Sequence, residues 1–157
     1  MKLLSIILIF IFSIQFSNAI FADPELIIDA IEHEDPSILK TLIFRGIDVN
    51  IPNSDGILPI IMAAVKGNLE HMKIIVEAGA DVNAVESDGW TPLMFVVSQG
   101  DLVATQYLLY NGASPFFRNN NDMSAYDVAI IRQLPEVCIH IIYILYTFYI
   151  YYNIYTY

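Results

Sequence analysis

Apolar residues come in short bursts along the middle of the chain, and the bursts themselves recur. Across 69–77, Met72, Ile75 and Val76 stand at i, i+3 and i+4, the spacing that puts side chains on one helix face. A period later Thr105, Leu108 and Leu109 hold the same places across 102–110. A shorter apolar burst precedes each one, at 59–65 and at 93–98. Pro59 and Pro92 suit a first helical turn, where the missing N–H costs nothing. Gly67-Asn68 and Gly100-Asp101 break the shorter helix from the longer one. Gly79 and Gly112 follow the longer helix, where a left-handed end favours a residue without Cβ. The pattern therefore predicts helix–turn–helix units, with Ala63 and Ala64 small enough to let neighbouring helices approach.

The units keep a single register. Asp55-Gly56 returns as Asp88-Gly89, Pro59 as Pro92, and Asn50 as Asn83, each 33 residues on; Gly46, Gly79 and Gly112 follow the same step. Asp-Gly at these places is turn chemistry. Repetition of 20 to 50 residues is the mark of a solenoid, whose units bury their apolar faces only against one another. The expected fold is all-α, a solenoid of stacked helix–turn–helix repeats with short turn or hairpin tips. The expected divisions are an atypical first repeat at 23–52, repeats at 55–85 and 88–117, and a partial fourth at 121–142. Gln133 stands there where glycine is expected, and Leu145 occupies the next glycine slot, so the repeat is expected to end near residue 142.

Thr91-Pro92-Leu93, Pro59 to Ala64 and Gly79 to Ala84 carry a resemblance to the ankyrin-repeat family, whose signature is Thr-Pro-Leu-His-x-Ala at a period of 33. It spans about residues 23 to 142. Ile61 and Met94 replace the family's histidine, and Leu58 replaces its threonine in the second repeat. The resemblance implies recognition of a protein partner by surface, without catalysis. It also implies that turn tips and first-helix faces form the recognition side. The positions that map there include Ile57, Val65 and Lys66, then Trp90, Ser98 and Gln99, then Met123, Ile131 and Arg132. Six of these are the candidate partner-binding residues: Ile57, Lys66, Trp90, Gln99, Met123 and Arg132. Trp90 is the only tryptophan. With Ile57 and Met123 it is expected to form an exposed apolar row along the tips.

Composition narrows the partners. Seventeen acids against 7 bases give a net charge of −10, which repels phosphate and argues against nucleic acid. His33, His71 and His140 lie in different repeats, without the close spacing a metal site needs, so neither metal nor cofactor is expected. Asp48, Asp55, Asp81 and Asp88 recur with the repeat and read as turn and cap residues, not as catalytic carboxylates. The single cysteine, Cys138, excludes an internal disulfide. A monomer that is not an enzyme is expected.

The two ends account for the high apolar share of 56%. Lys2 followed by an apolar run to Ile14, then Ser17 and Ala19, has the layout of a secretory signal peptide over 1–19, with Ala22 as a second cut site. Export is therefore expected. The tail at 143–157 continues an uncharged stretch that starts at Val137, long enough to span a bilayer. Its tyrosines are spread throughout and not banked at the ends as in a membrane-spanning helix. Removal from Ile144 onward is expected to leave a folded stack. Beside the exported interaction module stand two alternatives: a protein tethered to a membrane by this tail, and a decayed repeat fragment without function.

Overall fold

A computed structural model describes residues 23–155, with side chains through residue 147. The expected signal peptide falls on residues outside the described ones. The described chain forms helices α1 (Pro24–Glu32), α2 (Pro36–Phe44), α3 (Pro59–Lys66), α4 (Leu69–Glu77), α5 (Pro92–Gln99), α6 (Leu102–Tyr110), α7 (Ala125–Ile131) and α8 (Pro135–Tyr155). No strand occurs among the described residues. Consecutive helices pair, α1 with α2 through α7 with α8, and the pairs stack. First helices α1, α3, α5 and α7 pack in series, and in the second layer α2 packs on α4 and α6 on α8.

The helix starts follow from their caps. Asp35 Oδ1 accepts from the N–H groups of Ser37 and Ile38 at 2.9 and 3.1 Å. Asn68 and Asp101, in the same repeat slot, accept from His71 at 3.0 Å and Ala104 at 2.9 Å. Such a cap contributes about 1 kcal/mol. Thr91 caps Met94, and Ser124 with Asp127 forms a reciprocal capping box. Leu58 occupies that slot in the second repeat and makes no side-chain cap bond.

Helix ends are set by left-handed residues. After each first helix the slot is filled by Glu34, Gly67, Gly100 and Gln133, with φ of 55, 67, 74 and 58°. The backbone keeps this conformation even where glycine is absent. After the second helices, Gly46, Gly79 and Gly112 have φ near 90°. The next such slot is Leu145, and no break follows: α8 runs on to Tyr155. The repeat boundary expected near residue 142 thus falls inside a helix, because leucine favours the right-handed conformation that glycine would have let the chain leave. Ile144 is buried in the core, so removal from Ile144 onward cuts into the stack instead of trimming a free tail.

One continuous core joins the layers. Ile27, Ile31, Leu39, Ile60, Met72, Ile75, Leu93, Met94, Leu108 and Ile141 are all fully buried. Ile61 and Met94, standing where the family has histidine, are buried as apolar packing. Asparagines latch the repeats across the other side. Asn50 donates to the Gly79 carbonyl at 3.0 Å and accepts from the Asp81 N–H at 2.8 Å. Asn83 repeats this with Gly112 at 3.1 Å and Ser114 at 2.7 Å. The third such slot is Phe116, which cannot make the latch.

Candidate interaction surface

Three turn tips project in register from the stack. At the first, the Asn53 N–H donates to the Ile57 carbonyl at 3.0 Å, while the Ile57 N–H returns to Asn53 Oδ1 at 2.8 Å. The return bond goes to a side chain instead of the backbone, so the tip closes as a turn and not as a strand ladder. Glu86 does the same for Trp90, with Oε1 3.0 Å from the Trp90 N–H, and Asn119 does so for Met123 at 3.0 Å. Residues 53, 86 and 119 thus form a polar series at the repeat spacing, each placed to close its turn with a side-chain oxygen.

Adjacent tips are tied together. The Asn120 N–H donates to the Asp88 carbonyl at 2.9 Å, and Asn120 Nδ2 to the Ser87 carbonyl at 3.1 Å. Gly89, at φ 78°, lies under this contact: a Cβ there would come within 3.1 Å of the Asn119 Cα. At the first tip the Glu25 carboxylate accepts from the Ser54 N–H at 2.7 Å and from Asn53 Nδ2 at 3.1 Å. Ser54, with the Asn53 amide adding to it, holds the Glu25 carboxyl below its ordinary pKa. For Glu86, partial burial pushes the value up, but the N–H groups of Asp88 and Trp90 and the Ser87 hydroxyl outweigh it, and the net shift is down. Asp127 is also lowered, chiefly by Ser124 in the capping box and further by Arg118.

Ile57, Trp90 and Met123 hold one slot in successive tips, and all three are half-buried against the core. The exposed row expected from the sequence is corrected accordingly. Trp90 leans onto Phe95 of α5, with ring centroids 5.2 Å apart. Its neighbour is a side chain of its own repeat, five residues on, which turn chemistry alone does not reveal. Gln99 is corrected as well. Its amide donates to the Ala64 and Val65 carbonyls, both at 3.0 Å, and so closes the end of α3 from the next repeat.

Lys66 and Arg132 are exposed in the same repeat slot as Gln99. Each other described Lys or Arg is engaged. Lys40 is 4.0 Å from Glu70, Lys73 lies over the Tyr107 ring, Arg118 pairs with Asp122 and Asp127, and Arg45 also has a partner. Lys66 and Arg132 form no ion pair among the described residues. Beside them Val65 and Ile131 are exposed apolar residues, again in one slot. No group of His, Cys, Asp and Glu among the described residues could hold a metal ion.

The family model described as ankyrin repeats, in three copies, matches residues 27–119, more than half of the chain. The chain belongs to the ankyrin-repeat family. Ankyrin repeats are protein-interaction modules, which agrees with a surface built of tips and helix ends. Comparison with characterised proteins gives no match. In this ankyrin stack the matched region stops before α7, where the asparagine latch gives way to Phe116. Residues that sequence reasoning passed over are Asn53, Glu86 and Asn119. Their signal was present: an oxygen-bearing side chain three residues before Gly56, Gly89 and Asp122, at the repeat period.

Proposed function

We propose that this ankyrin-repeat protein is an exported interaction module that makes and breaks no bonds. Its partner presents acidic groups to Lys66 and Arg132 and apolar side chains to the exposed Val65 and Ile131. The observation that carries this reading is the position of Lys66 and Arg132. In a chain of net charge −10, cations are scarce, and Lys40, Arg45, Lys73 and Arg118 are already engaged. Two exposed cations without an ion pair, in one repeat slot and flanked by exposed apolar residues, are complementary to an extended partner lying along the first-helix ends. Charge of this kind sets partner choice and encounter rate more than raw affinity. Export rests on the layout of Lys2, the apolar run to Ile14, and Ser17 with Ala19.

The test uses the chain as bait against the proteins of the compartment it reaches, followed by binding of each recovered partner in purified form. Lys66→Glu with Arg132→Glu should weaken binding tenfold or more, an effect on the order of 1.4 kcal/mol. Lys40→Glu, in the second-helix layer, should not. Equal loss in both variants, or in neither, would remove the face from consideration. Mass spectrometry of the exported pool should find Ile20 or Asp23 at the amino terminus; an intact Met1 there would end the export reading.

A further inference from the structure

We propose that two copies of this chain associate through α8. Ile139, Ile142, Tyr143 and Tyr146 recur at i, i+3, i+4 and i+7, so they form one stripe along the helix. They are 63, 51, 59 and 60% exposed. The opposite side of the same helix carries Val137, Ile141 and Ile144, all buried against α6 and α7. The helix is thus fixed by one face and presents the other as a preformed apolar surface. It is also too long for its own chain. At 21 residues it spans about 31 Å, while α6 and α7, with 9 and 7 residues, are less than half that length.

Charge selects the occupant. A twofold contact sets each surface patch against its own copy. In a chain of net charge −10 most faces would then oppose acid to acid. From Val137 to Tyr157 there is no Asp, Glu, Lys or Arg. α8 carries one acid, Glu136, exposed in its first turn one turn before Ile139, at the amino-terminal end of the stripe. Along this stripe self-association therefore meets like charge only at Glu136. The stripe borders a cleft of about 270 Å³ between the 115–118 turn and α8, lined by Phe116, Tyr126, Ile142 and Leu145 and by the mutually paired Arg118 and Asp127. A tyrosine from the second copy would lie against that rim. A lipid surface fits less well, because the acidic body would be held against a membrane that is itself anionic, and the stripe's tyrosines sit in mid-helix. Among the described residues no helix is long and apolar enough to cross a membrane.

The test is sedimentation equilibrium on the full chain at micromolar concentration, with flotation on vesicles of phosphatidylcholine and phosphatidylglycerol as the second arm. The parent should sediment as a dimer and should not float. Ile142→Glu and Ile142→Lys should each be monomeric with unchanged helix content, and mixing the two should restore dimers by pairing opposite charges. A monomeric parent, dimers that survive both substitutions, or a mixture that stays monomeric would overturn the proposal. Flotation of the parent that Ile142→Glu abolishes would assign the stripe to lipid instead. None of these outcomes depends on Lys66 or Arg132, so the face proposed for a foreign partner stands or falls separately.

Discussion

Replacement of Asn83 by alanine tests whether side-chain latches couple these repeats. The Asn83 amide donates to the Gly112 carbonyl at 3.1 Å and accepts from the Ser114 N–H at 2.7 Å. Both are backbone groups of the next repeat, just past the end of α6. The alanine variant loses two bonds, each worth about 1 kcal/mol net. Asn83 is half-buried, so water reaches the freed groups and no full desolvation penalty is added. The expected loss is about 1 to 2 kcal/mol, large against the 5 to 15 typical of a domain. Asn111→Ala is the matched control, because that side chain bonds only to the Tyr107 carbonyl of its own helix, at 2.8 Å. Urea unfolding followed by circular dichroism should show a lower midpoint for Asn83→Ala, with a shallower slope if the stack begins to unfold in parts. Matching midpoints and slopes for Asn83→Ala and the parent would refute the latch. So would an equal loss in Asn111→Ala.

Three further outcomes follow from single residues. Gln133 holds a left-handed conformation at φ 58°, so Gln133→Gly should raise the unfolding free energy by about 1 kcal/mol, and a lower value would show that the side chain contributes something unseen. His71 is buried and neither ring nitrogen has a hydrogen-bond partner among the described residues, so His71→Leu should leave the melting temperature unchanged or higher; a clear drop would mean the imidazole is satisfied in solution. Glu86 is held below its ordinary value of 4.5, so its contribution to stability is complete above that pH and is lost as pH falls through the lower folded value. Glu86→Gln should therefore be the less stable protein at neutral pH, with the gap closing below pH 4.5, and a gap that stays constant with pH would contradict the role given to the carboxylate.

The helices were legible because their signals are local. Pro59, Pro92, the Asn68 and Asp101 caps and the glycines act within a turn of their own position, and α4 and α6 have the bounds their apolar spacing predicts. What escaped depends on neighbours one repeat away. Gln99 reads as a free recognition residue until the α3 carbonyls of the preceding repeat are placed beside it. Trp90 reads as exposed until Phe95 turns toward it. The far end misled for a different reason. Leu145 correctly marks a lost glycine, but a lost helix terminator lengthens a helix as readily as it ends a repeat, and periodicity cannot tell which.

Phe116 standing in the asparagine series has a consequence for how the molecule opens. The first two junctions carry a latch, at Asn50 and Asn83, and the third is held by helix packing and the Asn120 tip bonds. In a linear stack each junction opens at its own cost, and amide protons report that cost as protection from exchange. Protection should therefore fall along the chain, with α7 and α8 exchanging before α3 through α6. Pairing of two copies through α8 would reverse this gradient, slowing exchange first at the end that is weakest alone. The least anchored repeat would then be the one whose lifetime depends on protein concentration.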